Sequence, residues 1–171
     1  MSETVRSFET GFSPGTADSL VVGAYFFSAL MVFAGLVRGA PIMFPIAILP
    51  ALVGTYHYPM VKKDLPQLRA DQDGLFVDGL GTLAWADIRT VLFRESYVRM
   101  MSNAVVVVET RGTYRRLARR PRSPMPLRSF FAGILVREAP NRFRLRLQGL
   151  NDKPEHIREA IEFFHEQSRS I

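Results

Sequence analysis

Two uncharged apolar runs dominate what this chain can fold into. Leu20 to Val37 reads LVVGAYFFSALMVFAGLV, and after Arg38-Gly39 the segment Ala40 to Val61 reads APIMFPIAILPALVGTYHYPMV. Each run has the length of a membrane-spanning helix, which needs roughly 17–25 residues. A bilayer offers no partner for bare N–H and C=O groups, so helices are the form expected of both. The linker is so short that two such helices must return as a tight antiparallel hairpin, at about residues 17–37 and 41–60. Pro41 suits a first helical turn, whereas Pro45 and Pro50 remove donors further in and predict a kink. Ala24 with Ser28, and Ala47 with Ala51, are small residues one turn apart that permit close packing. A signal peptide fits poorly with an acidic leader and no small-x-small site. A buried soluble pair fits poorly with runs longer than ordinary core helices.

Charge sets the expected orientation. Residues 1–61 hold two arginines and three acids, whereas the remainder holds 20 basic and 13 acidic residues. Lys62, Lys63 and Arg69 follow the second run, and only Arg38 lies between the two. The positive-inside rule then places both termini in the cytoplasm. Residues 1–16, polar with Gly and Pro, read as a flexible N-terminal tail.

Residues 62–171 are enough for one small domain. Asp73-Gly74 and Asp78-Gly79 are strong turn dipeptides between short apolar stretches. NAVVVVETRGTYRRL reads as two strands joined at Arg111-Gly112. RFRLRLQ alternates, with Phe143, Leu145 and Leu147 on one face and Arg142, Arg144 and Arg146 on the other. At the end of the chain, Ile157, Ala160, Ile161 and Phe164 form one face of a helix over about 153–168. Asp152 is placed to cap that helix, and Pro154 fits its first turn. The expected fold is α+β: antiparallel strands closed by a C-terminal helix, with Trp85, Ile88, Ile157, Ile161 and Phe164 in the core.

The stretch DGLFVDGLGTLAWADIRTVLF resembles the opening hairpins of bacterial pleckstrin-homology-like domains. Asp73, Gly74 and Leu75 match a turn and strand start, and Leu83, Ala84, Trp85, Asp87 and Ile88 match the entry to the next strand. The resemblance implies a PH-like barrel or sandwich capped by the C-terminal helix. It also implies a two-helix anchor in the bacterial inner membrane. Such domains serve as binding or assembly platforms, and fold alone does not fix the ligand.

No catalytic constellation stands out. There is no cysteine, which removes disulfides, thiolate metal sites and Cys nucleophiles. Gly79-Leu80-Gly81 lacks the third glycine of a dinucleotide fingerprint, and a strand follows where a helix should begin. His57 lies between Tyr56 and Tyr58, as in an interfacial aromatic belt. His156 and His165 are nine positions apart, on opposite helix faces, and cannot share a metal. The reading is a protein without cofactor, metal site or enzymatic role.

The remaining candidate is the basic stretch TYRRLARRPRSPMPLRSFF. Arg115, Arg116, Arg119, Arg120, Arg122 and Arg128 are the expected contacts to anionic lipid or a partner. Pro121, Pro124 and Pro126 interrupt regular structure. Beyond them, LRSFFAGILV has the spacing of an amphipathic helix, with a strand as the alternative. Phe130, Phe131 and Ile134 are its candidate interfacial contacts. Nucleic acid is disfavoured, because the aromatic interleaving of a nucleic-acid fold is missing. A membrane hairpin would hold these arginines beside headgroups, where each contributes on the order of 1 kcal/mol. The leading expectation is a membrane-anchored binding or scaffold module. The alternatives are an accessory subunit packed on an integral membrane partner or on a second copy, and a small membrane-associated enzyme.

Overall fold

A computed structural model describes residues 7–13, 15, 17–61, 66–98, 101–119 and 133–169, with side chains at 96–98 and 101–103 left aside. The chain is α+β. Two helices, α1 (Asp18–Arg38) and α2 (Met43–His57), precede most of two four-stranded antiparallel sheets, and a helix α4 (Pro154–Gln167) closes the chain.

α1 runs 21 residues, about 32 Å at 1.5 Å per residue. Gly39 ends it in the left-handed region, at φ 61°, where a side chain would be strained. α2 is shorter than the apolar run that encodes it. It begins after Pro41, contains Pro50, and gives way at Tyr58–Met60 to a 3-10 turn with Pro59 near its start. Pro50 has no N–H to give the preceding turn, and Pro59 closes off a longer α-helix. Among the described residues only α1 is long and apolar enough to cross a membrane.

The two helices pack antiparallel through small and hydroxyl residues. Ser28 Oγ donates to the Ala47 carbonyl at 2.8 Å, and the hydroxyls of Tyr25 and Thr55 lie 3.1 Å apart. Gly54 leaves room for the Tyr25 ring and Ala24. The outward faces stay bare: Phe26, Leu36, Val37 and Leu49 are each about 70% exposed.

The first sheet has the order β1 (Ser7–Thr10), β2 (Leu68–Asp71), β3 (Gly74–Val77), β4 (Gly81–Leu83). At residues 7–13, β1 and the chain after it correct the expectation of a flexible tail. Phe8 lies opposite Ala70 and Thr10 opposite Leu68, and beyond the strand Phe12 is buried and bridges to Leu150. Two aromatic side chains, Phe8 and Phe12, give this polar segment an apolar anchor on the core. The β2–β3 turn is built by Asp71, whose Oδ1 accepts from the amides of Asp73 and Gly74.

The second sheet has the order β5 (Ile88–Val98), β6 (Met101–Thr110), β8 (Arg142–Arg146), β7 (Leu135–Ala139). A 3-10 turn at Trp85–Asp87 breaks the ladder between the sheets, so they form two layers rather than one closed barrel. After β6 the chain does not return as a hairpin strand at Arg111-Gly112. Thr110 Oγ1 bonds the carbonyls of Gly112 and Asn141, and the chain turns into one helical turn, α3 (Tyr114–Leu117). Tyr114 is buried with its ring 5.1 Å from that of Phe143, which fixes that turn on the core.

Leu68, Leu75, Val77 and Leu83 face Val106, Val108, Phe143 and Leu145 across the core. α4 covers it with Ile157, Ile161 and Phe164, and Trp85 and Ile88 are buried there too. Burying each such side chain contributes roughly 1.5–3 kcal/mol. α4 starts without a side-chain cap: its N-cap residue is Lys153, and Asp152 does not supply the expected hydrogen bond.

Candidate membrane-contact surface

Strand direction gives the domain two distinguishable ends. β1 runs towards α1, and β2 runs away from α2. Gln67 N–H donates to the Thr10 carbonyl, and its own carbonyl accepts from Asp78 N–H. The entry to α1, the exit from α2 and the β3–β4 turn therefore lie side by side. β8 also runs towards this end. Leu147 N–H bonds Ala104 O, and Gly149 O accepts from Ser13 N–H shortly before α1 begins. The far end carries the β2–β3 turn, the Trp85 corner, the Pro140–Asn141 turn and Tyr114, whose N–H bonds Pro140 O.

The predicted basic residues divide between these ends. Arg115 and Arg116 are exposed on α3, which starts at the far end. Arg119 is exposed, and its backbone exchanges two hydrogen bonds with Thr82 in the middle of β4, at 2.9 and 3.0 Å, antiparallel to that strand. Arg120, Arg122, Arg128, Phe130 and Phe131 lie outside the described residues. Both flanks of that segment are placed, however. It leaves from Arg119 beside β4 and re-enters at Ile134, whose carbonyl accepts from Arg146 N–H. Ile134 lies at the helix-bearing end on the second sheet, and Arg119, antiparallel to β4 on the first, heads towards that end.

Ile134 is corrected as a candidate interfacial contact. It is 1% exposed and belongs to the core. The chain is a strand from Leu135 onwards, since Arg146 and Leu145 offer a pairing partner that outweighs the helical spacing.

The second basic row splits as well. Glu138 holds Arg142 at 2.9 Å and also pairs with Arg144, and Glu109 lies 3.6 Å from Arg142. Arg146 has no acid within ion-pair distance among the described residues, and neither has Arg94, two positions along the same sheet rung. Arg94 went unnoticed in the sequence because a lone arginine next to Glu95 carries no pattern signal. Cross-strand register is what joins it to Arg146.

Away from this end, Arg115 and Arg137 flank a cleft of about 340 Å³ with Thr113, Tyr114, Glu138, Ala139 and Pro140. It is open and shallow. His165 stands against Trp85 with ring centroids 5.7 Å apart. Partial burial lowers its pKa below the ordinary histidine value, and nearby Arg169 lowers it further against the opposing pull of Glu166. Among the described residues no three His, Asp or Glu side chains are grouped to hold a metal ion.

No family model, curated protein or solved structure matches this chain.

Proposed function

We propose that this chain is a non-enzymatic, membrane-anchored binding or scaffold module. In this reading α1 and α2 cross the bacterial inner membrane as a hairpin, and the basic PH-like domain faces anionic lipid on the cytoplasmic leaflet. The observation that carries it is the pairing of β1 with β2. These strands flank the helical pair in sequence and share a sheet, so the chain must leave and return on the same side. A spanning α1 therefore requires α2 to recross. α2 with its 3-10 extension reaches about 28 Å, close to the roughly 30 Å hydrocarbon core. Exposed Tyr56 and Tyr58 at its end suit the headgroup level.

The same geometry favours lipid as the polyanion. The chain enters the stretch Arg120 to Ala132 from Arg119, running antiparallel to β4 towards the end that bears the helices, and re-enters the domain at that end through Ile134. Tethering makes the encounter intramolecular, so weak attraction suffices.

Single cysteines test this cleanly in a cysteine-free chain. In sealed vesicles, Ser2→Cys and Ser170→Cys should react with an impermeant thiol reagent from one shared side. A fluorophore on Ser123→Cys should respond to phosphatidylglycerol over phosphatidylcholine. Replacing Arg119, Arg120, Arg122 and Arg128 by Gln should abolish that response. Labelling from opposite sides overturns the hairpin. Equal signals in both lipids overturn the lipid-facing surface.

A further inference from the structure

The Pro140–Asn141 turn is clasped to the chain that follows β6. Thr110 Oγ1 donates to the Asn141 carbonyl at 3.1 Å, and Tyr114 N–H donates to the Pro140 carbonyl at 3.0 Å. These bonds seat α3 beside the end of β7. Between the two elements lies the cleft of about 340 Å³, away from the helical pair.

The groups around this cleft suit an anion. Arg115 enters it from α3 and Arg137 from β7. Both are exposed, and neither lies within ion-pair distance of an acid among the described residues. Glu138 also lines the cleft, but its charge is already engaged. One carboxylate oxygen lies 2.9 Å from Arg142 Nε, and the other contacts Arg144 Nε. An incoming anion therefore meets two unpaired guanidinium groups and a carboxylate held between two more.

Tyr114 points to a ligand independently of charge. The residue is 4% exposed and its ring packs on Phe143. Its hydroxyl has no hydrogen-bond partner among the described residues and keeps contact with solvent instead, whereas a buried tyrosine usually bonds to the protein. Thr113, the N-cap residue of α3, makes no side-chain cap bond, so a second hydroxyl is available. Carboxylates match these donors, because charge-assisted bonds to arginine are the strong ones. The apolar surfaces of Ala139 and Pro140 complete the lining.

Openness decides the size of the ligand. A small molecule needs roughly 70–90% of its surface covered, which a shallow cleft does not supply. A protein segment spreads its contacts further, and exposed Arg111 and Arg116 flank Tyr114 and Arg115 in the chain. Nucleic acid lacks a stacking platform here, since Trp85 and Tyr114 are both buried. In the anchored reading this end points away from the bilayer, which sets lipid aside.

We propose that the cleft between α3 and β7 docks an acidic segment of a protein partner. Arg115 and Arg137 pair with its carboxylates, and the hydroxyls of Thr113 and Tyr114 donate to them. This deepens the binding-module reading and uses the membrane anchor only to exclude lipid.

The test uses the full chain in phosphatidylcholine nanodiscs, carrying Arg119→Gln, Arg120→Gln, Arg122→Gln and Arg128→Gln to remove the competing basic segment. The probe is a short fluorescent peptide of alternating glutamate and leucine, with a glutamine–leucine peptide as its neutral counterpart. Fluorescence anisotropy should show binding of the first and not of the second. Arg115→Gln with Arg137→Gln should weaken it by about tenfold. Arg94→Gln with Arg146→Gln removes the same charge elsewhere and should leave it unchanged. Tyr114→Phe keeps the ring and should weaken it by about threefold at an unchanged Tm. The proposal is overturned if the neutral peptide binds equally, if the two double variants weaken binding alike, or if a single-stranded oligonucleotide binds the cleft more tightly than the acidic peptide. A fluorophore at Asn141→Cys should stay bright over nitroxide-bearing lipid. Quenching there would put the cleft on the bilayer and overturn the proposal while the anchor stands. Opposite-side labelling of Ser2→Cys and Ser170→Cys would overturn the hairpin and leave the peptide site standing.

Discussion

The Thr10 carbonyl accepts a hydrogen bond from the Gln67 amide at 2.9 Å, across the whole length of the helical pair. The first sheet is thus assembled from chain on both sides of α1 and α2. Gln67 is fully buried at this junction, with its side-chain amide donating to Asp78 Oδ2 at 2.9 Å. The domain is not the C-terminal part of the chain alone. A fragment beginning after α2 lacks β1 and exposes the edge of β2.

Phe12→Ala should therefore destabilise the domain, although Phe12 precedes both helices in sequence. Its ring is 6% exposed, and truncating a buried phenylalanine costs about 3 kcal/mol. Thermal unfolding of the strands in detergent, followed by circular dichroism, measures this. An unchanged midpoint would mean that the N-terminal segment is not part of the core.

Trp85 links the β2–β3 turn to the terminal helix. Its Nε1 donates to the Asp71 carbonyl at 2.7 Å, and its ring lies under His165. Trp85→Phe keeps most of the apolar bulk and leaves that carbonyl without its donor, at a cost of about 1–2 kcal/mol. Trp85→Ala adds a cavity and should cost about 3–5 kcal/mol. The denaturant midpoints of the two variants should separate in that order.

What the sequence made legible was governed by local pattern. The length of the uncharged run in α1, the alternation of β8 and the helical face of Ile157, Ile161 and Phe164 are local signals, and each forms the element it implies. The Asp-Gly turns carry their own backbone chemistry. Gly74 adopts φ 151°, and a side chain there would meet the Leu83 carbonyl. What was missed depended on distant partners. Ser7–Thr10 is too short and polar to announce a strand, and becomes one only because β2 offers an edge. Ile134 fits a helical stripe until Arg146 pairs with it. The Arg94–Arg146 rung exists only in cross-strand register, which no local window contains.

His165 gives the domain a pH dependence of known sign. Its folded-state pKa lies below the ordinary value near 6.5, from burial first and Arg169 second. The unfolded chain then binds the proton more readily. The stability it contributes is present above about pH 6.5 and is lost as pH falls through that value towards the folded-state pKa. The stability difference between the parent chain and His165→Gln should rise between about pH 5 and pH 7.5. Arg169→Gln should flatten that rise. A difference that falls with pH would contradict the burial of His165 against Trp85.

The seam between α1 and α2 makes a prediction that separates packing from composition. At Gly54 an added Cβ would stand 3.3 Å from the Tyr25 ring and 3.4 Å from Ala24 Cβ, so a larger side chain has no room. At Gly23 an added Cβ meets nothing within 4 Å. Gly54→Leu should force the helices apart at a cost of about 1–3 kcal/mol, while Gly23→Leu should be nearly neutral. Oxidative cross-linking between Ser28→Cys and Ala47→Cys reports the seam directly, because Ser28 Oγ lies 2.8 Å from the Ala47 carbonyl. Cross-linking in lipid should slow in the Gly54→Leu background and persist in Gly23→Leu. Equal rates in both would show that the two helices do not meet along this face.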